Sequence, residues 1–165
     1  MSPKLFGIFF ALAIVIGSGI YFHENLRTMF FGEPVAWVRL GGVQIFVSIA
    51  DTQETRRQGL SSTTALAELE GKLFIFESLG THGIWMKDMN YPIDIFWISD
   101  DLRIIHTEAN VSPDTYPRSF SSTEPARYVL ETNAGIAERY GVRNGDPVSF
   151  SESVLVRRDQ VLLPQ

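Results

Sequence analysis

The chain has 165 residues, 45% of them hydrophobic and 20% charged, a balance that suits one compact domain with something small attached. A net charge of −5 with no basic block sets nucleic-acid binding aside. The absence of cysteine excludes disulfides, thiolate metal sites and a cysteine nucleophile.

Residues 1–22 read as a membrane anchor or signal segment. Residues 5–22, "LFGIFFALAIVIGSGIYF", carry no charge. As a helix they would span about 27 Å, enough for a bilayer core. Lys4 precedes the run and no acidic residue does, which keeps the N-terminus in the cytoplasm and places the folded part on the exported side. The competing reading is a cleaved signal peptide, with Gly17, Ser18 and Gly19 as small residues near the cut and a secreted product. The aromatic end at Tyr21 and Phe22, and the lack of a clean A-x-A, favour a single-pass anchor in the cell membrane.

Residues 23–34 form a juxtamembrane connector, residues 35–151 a single β-rich domain, and residues 152–165 a C-terminal tail that either extends the sheet or frays. "VAWVRLGGVQIFVSIA" reads as a hairpin about Gly41-Gly42. "DTQETRRQG" reads as a short helix, with Asp51 as N-cap, Glu54 completing a capping box and Gly59 as stop. "STTALAELEG" suggests a second helical turn ending at Gly71.

"KLFIFE", "HGIWMK", "IDIFWIS" and "LRIIHTEA" are strand-like, the middle two joined by the loop 88–92. Residues 112–125 contain three prolines and no periodicity, so they form a loop. "ARYVLET" is a strand, and "NAGIAERYG" a helix with Asn133 as N-cap and Gly141 as stop. "NGD" at 144–146 turns the chain into a last strand. These elements predict an α+β fold: a mostly antiparallel, twisted, barrel-like sheet with two or three short helices, preceded by one N-terminal transmembrane helix.

From Val43 to Phe150 the chain resembles the prokaryotic family called domain of unknown function 192. The blocks "ADTQETRRQGL", "GKLFIFE", "IWMKDMNYPIDIFWI", "PARYVLETNAGIAERYGV" and "NGDPV" occur in the family's order. The central block resembles the family pattern F-W-M-K-N-T-x-x-P-L-D-I at Trp85, Met86, Lys87, Pro92, Asp94 and Ile95. It departs at Ile84 and at Asp88-Met89, and Ser61-Ser62 stand where the family has Met and an aromatic. The resemblance implies a compact β-rich fold and an N-terminal export segment. It implies no activity.

The charges inside that block raise the sharpest functional question. If its two strand-like segments pair across their loop, Lys87 and Asp94 meet near its base. A ligand reading has Lys87 holding an anionic group, with Asp94 orienting it or acting as a base. A structural reading has Asp94 capping backbone N–H groups or pairing with Lys87. Trp85, Phe96 and Trp97 offer either a stacking platform for a sugar or ordinary core, and Tyr91 in the loop reads as the most exposed aromatic.

His82 and His106 lack any metal-ligand spacing, so neither metal nor cofactor is expected. The serines show no nucleophile motif. Arg56-Arg57 read as a solvated helix face, and Arg127 with Glu131 as the polar side of a surface strand. The ligand-binding candidates are therefore Lys87, Asp94, Trp85 and Tyr91. The functional expectation is an exported, membrane-anchored domain that binds a partner protein or envelope ligand. The alternative is a hydrolase or lyase on envelope material using Lys87 and Asp94.

Overall fold

A computed structural model describes residues 36–163. The expected transmembrane helix at residues 5–22 lies outside them. Among the described residues no helix is long and apolar enough to cross a membrane.

The expected hairpin forms from β1 (Trp37–Leu40) and β2 (Val43–Ala50), closed by Gly41-Gly42, with Gly41 at a φ of 53°. Helix α1 (Gln53–Gln58) starts one residue later than expected. Its N-cap is Thr52, whose hydroxyl accepts from Thr55 N–H, while Thr55 Oγ1 accepts from Thr52 N–H. Gly59 ends it at a φ of 51°.

The anticipated second helical turn is absent. Residues 61–69 turn and run extended, and β3 (Glu70–Gly80) begins before Gly71. This glycine is not a helix stop. A Cβ there would lie 2.5 Å from the carbonyl oxygen of Glu131 on the neighbouring strand, so only glycine permits the approach.

The chain continues through β4 (Ile84–Trp85), β5 (Ile93–Ile98), β6 (Ile104–Val111), a 3-10 turn (Pro113–Thr115), β7 (Ser119–Phe120) and β8 (Ala126–Asn133). It then forms α2 (Ile136–Tyr140), β9 (Val148–Phe150) and α3 (Glu152–Leu162). The tail is thus largely helical. Val154 is fully buried in the core and Arg157 pairs with Asp51 at 2.9 Å, so packing and charge hold it there despite its β-branched residues.

The main sheet has the order β6-β5-β8-β3-β2-β1-β9. Its pairs are antiparallel except β2 with β3, which α1 and the following segment connect. The sheet curls until its outer strands approach. Ile104 N–H donates to Asp146 O, Gly145 N–H to Ile104 O and Val148 N–H to Leu102 O. These bonds join the start of β6 to the turn before β9, which gives the barrel-like α+β fold.

Strands β3, β8 and β5 lie mid-sheet, and the sheet around Leu73–Ile75, Tyr128–Leu130 and Ile95–Ile98 is buried on both faces. One face contributes Leu73, Ile75, Phe96, Ile98, Tyr128 and Leu130 to the larger core. The other contributes Phe74, Ile95, Trp97 and Val129 to a second core, capped by Leu60, Ile84, Met86 and Phe120. All six residues of β5 are buried. The expected pairing of residues 84–87 with β5 does not occur. Strand β4 pairs with β7, because both flanks of β5 are already taken by β6 and β8.

Candidate functional site

Lys87 and Asp94 do not meet. Asp94 is fully buried, and both its carboxylate oxygens serve the backbone. Oδ1 accepts from Asn110 N–H at 2.7 Å, and Oδ2 from Ala137 N–H at 2.8 Å. Asn110 sits at a φ of 51° near the end of β6, and Ala137 is in the first turn of α2. The N-cap position of α2 is Gly135, which has no side chain; Asp94 supplies the capping oxygen from another element, while Asn133 stays within β8. Lys87 is exposed on the loop side, and its carbonyl accepts from Ser61 Oγ at 2.8 Å.

The aromatic candidates separate clearly. Phe96 and Trp97 are fully buried, and Trp97 Nε1–H donates to His82 O at 2.9 Å. Tyr91 is half-buried and shares a 2.6 Å hydrogen bond with Thr63 Oγ1, so it anchors its loop. Trp85 is 50% exposed and is the true surface aromatic of the block. It stands edge-to-face with Tyr116, itself 45% exposed, at a centroid distance of 6.1 Å.

The arginines are more committed than a solvated face implies. Arg56 donates to the carbonyls of Asp51 and Ile75 and forks onto Glu77 at 2.8 and 2.9 Å. Its guanidinium lies over the Phe76 ring, and this pairing holds the Glu77 carboxyl below its ordinary range. Arg127 donates to Asp100 and to the carbonyl of Glu77. Arg57 is exposed and makes no hydrogen bond or ion pair among the described residues.

Sequence reasoning missed the key residue. Glu131 is not on a surface strand: β8 lies between β3 and β5, and Glu131 is only 5% exposed. Its Oε2 is buried with no hydrogen-bond partner. Burial pushes the carboxyl up to about 8, against the opposing charge of Lys72, its register partner on β3. The neighbour across on β5 is Ile95, and the other nearby charges are Arg56 and Arg57 of α1. Glu131 is therefore mostly protonated at neutral pH, offering both an O–H donor and a carbonyl acceptor. The available signal was a lone acid inside the apolar run "YVLE", the same kind of intrusion as Asp94 in "IDIFW".

Glu131 helps line a small cleft of about 50 Å³. Its walls include Arg57 and Gly59 from the end of α1, Ser61 from the following turn, Gly83 and Trp85 at β4, and Met89. A larger open concavity of about 710 Å³ lies between the start of α1 and the end of α3. Its two carboxylates are occupied, Asp51 by Arg157 and Glu77 by Arg56. The chemistry left unspent is at Glu131. His82 stacks on Phe76, and His106 pairs with Glu108. Among the described residues no three His, Asp or Glu side chains cluster as a metal site requires.

No curated protein matches the chain. Two crystal structures are similar over most of it. One, at 1.55 Å, is of R01717 from Sinorhizobium meliloti 1021, described as a "putative transcription regulator"; it is 32% identical, with a TM-score of 0.67 over 71% of this chain and 94% of that one. The other, at 1.22 Å, is of a protein of unknown function from Novosphingobium aromaticivorans DSM 12444; it is 27% identical, with a TM-score of 0.63 over 70% of this chain and 83% of that one. Residues 36–150, the hairpin through β9 with the cleft included, match the family described as Uncharacterized ACR, and the chain belongs to this family, DUF192.

Proposed function

We propose that the chain is a binding domain tethered to the cell membrane by residues 5–22, with the folded part on the exported side and the cleft over Glu131 as its ligand site. The observation that carries the site is Glu131 Oε2, buried and without a hydrogen-bond partner among the described residues. A buried carboxyl without hydrogen bonds lowers stability, and a fold that accepts this cost without structural return points to function. The half-exposed indole of Trp85 and the guanidinium of Arg57, unpaired among the described residues, give a ligand something to contact on the same cleft. The charge-free apolar run, with Lys4 before it, supports the tether and its orientation.

A hydrolase or lyase using Lys87 and Asp94 draws no such support. It needs a free carboxylate oxygen at an open surface, and both oxygens of Asp94 already accept backbone bonds. A two-carboxylate hydrolytic site is unsupported as well, because among the described residues Glu131 is the only acid on its cleft. With a net charge of −5, this chain is poorly suited to a phosphate backbone.

The test is native mass spectrometry of the full chain extracted from membranes. A small molecule retained by the parent protein and by Lys87→Ala, but lost from Trp85→Ala, supports the site. Equal retention in all three refutes it. The tether is tested by alkaline washing of membranes: release of the protein into the supernatant would refute it.

A further inference from the structure

We propose that the ligand is a pyranose sugar, its ring laid against Trp85 and Tyr116 and a single hydroxyl or hydroxymethyl group seated against the carboxyl of Glu131. This deepens the binding reading and rests on it. The first ground is size. A cleft of about 50 Å³ holds one or two water-sized groups, at about 30 Å³ each. It admits a hydroxymethyl group but not an aromatic or leucine-sized side chain, so most of the ligand must lie outside on the rim.

The second ground lies beside the cleft, where Trp85, which lines it, meets Tyr116. Trp85 and Tyr116 are both close to half exposed, and their planes meet at 64°. In this edge-to-face pair one ring turns its edge to the other's face, and together they make an exposed aromatic corner. A pyranose presents an apolar C–H face to one ring and equatorial hydroxyls at its edge, which fits such a corner. Both aromatics come from the short β4 strand and the 113–117 segment, outside the packed main sheet, and neither is needed to complete the two cores.

The third ground is hydrogen-bonding character. A neutral carboxyl donates and accepts at adjacent atoms, and a hydroxyl does both at one atom, so the two groups are complementary. A ligand ammonium is disfavoured by Arg56 and Arg57 on the same wall. A peptide group also donates and accepts, but it is flanked by chain on both sides and needs a through-running groove. Arg57 adds a planar set of N–H donors for hydroxyls at the sugar's edge.

The test uses the full chain in detergent micelles and ligand-observed saturation-transfer NMR. The probes are methyl pyranosides of glucose, galactose, mannose and N-acetylglucosamine, with acetate, benzoate and a blocked dipeptide as non-sugar arms. At least one pyranoside is expected to bind at millimolar concentration, with affinity falling 10-fold or more in Trp85→Ala and in Tyr116→Ala. Glu131→Leu, close in size but able neither to donate nor to accept, is expected to lose binding 10-fold or more. Both aromatic positions are exposed, so these variants keep the fold; a thermal melt checks it. Binding of a non-sugar probe in a Trp85-dependent way, with no pyranoside bound, overturns the sugar and leaves the cleft reading intact. Absence of Trp85-dependent binding by every probe overturns the proposal. If native mass spectrometry also finds no retained molecule, the cleft reading falls with it.

Discussion

Replacing Glu131 by Gln isolates the energetic consequence of burying a carboxyl. The ordinary carboxyl value is 4.5, and in the fold Glu131 is pushed up to about 8. The folded state therefore holds the proton more tightly than the unfolded state. Below pH 4.5 both states are protonated and there is no penalty. As pH rises, the unfolded state ionises first and stability falls, until the folded carboxyl ionises near pH 8 and the loss levels off. At 1.36 kcal/mol per pH unit, the gap between 4.5 and about 8 corresponds to a loss of about 5 kcal/mol above pH 8, and about 3 kcal/mol at pH 7. Glutamine is neutral in both states and escapes it. Its extra N–H adds a roughly constant cost of about 1 kcal/mol. Thermal melts of the parent chain and Glu131→Gln, taken from pH 4.5 to 9.5, should thus diverge with rising pH. At roughly 3 °C per kcal/mol the total divergence is on the order of 15 °C. Parallel melting curves across that range would refute the reasoning, since only a group with different proton affinities in the two states can separate them.

Asp94→Ala should destabilise the domain by about 2–4 kcal/mol, because two part-buried N–H groups lose their acceptor at about 1–2 kcal/mol each. Lys87→Ala, on an exposed side chain, should change stability by less than about 0.5 kcal/mol in the same urea titration; equal effects would show that the two residues act as a unit. Gly71→Ala forces a methyl to 2.5 Å from the Glu131 carbonyl and should cost about 3 kcal/mol or more in thermal or urea unfolding. Gly42→Ala meets nothing within 4 Å and should stay within about 1 kcal/mol of the parent.

Local chemistry made parts of the fold legible. Gly41-Gly42 marks a hairpin because few other residues accept such a turn, and Gly59 and Gly141 end their helices at φ values of 51° and 65°. Elements fixed by distant partners were not legible. Nothing near residue 152 says that Val154 finds a core and Arg157 finds Asp51, so the tail's β-branched residues mislead. The block 84–98 looks like a hairpin because alternation predicts strands but not partners; β6 and β8 claim β5 first. The site suffered most from this. Whether Glu131 is a surface acid or a buried one depends on β8 being a central strand, which is a property of topology. Trp85 was legible as a candidate from its block, yet Tyr116 joins it from a loop with no periodicity at all.

The bonding of Asp94 bears on how the fold opens. A five-residue helix such as α2 ordinarily frays within microseconds, and its amides exchange with solvent through small local openings. Here the amide of Ala137 is bonded to a carboxylate on a strand buried on both faces, which also holds the amide of Asn110. Releasing either amide leaves a carboxylate oxygen on β5 without its acceptor bond. Strand β5, the end of β6 and helix α2, far apart along the chain, are thereby tied together, and the amides of Asn110 and Ala137 should exchange more slowly than those of their neighbours in the same loop and helix.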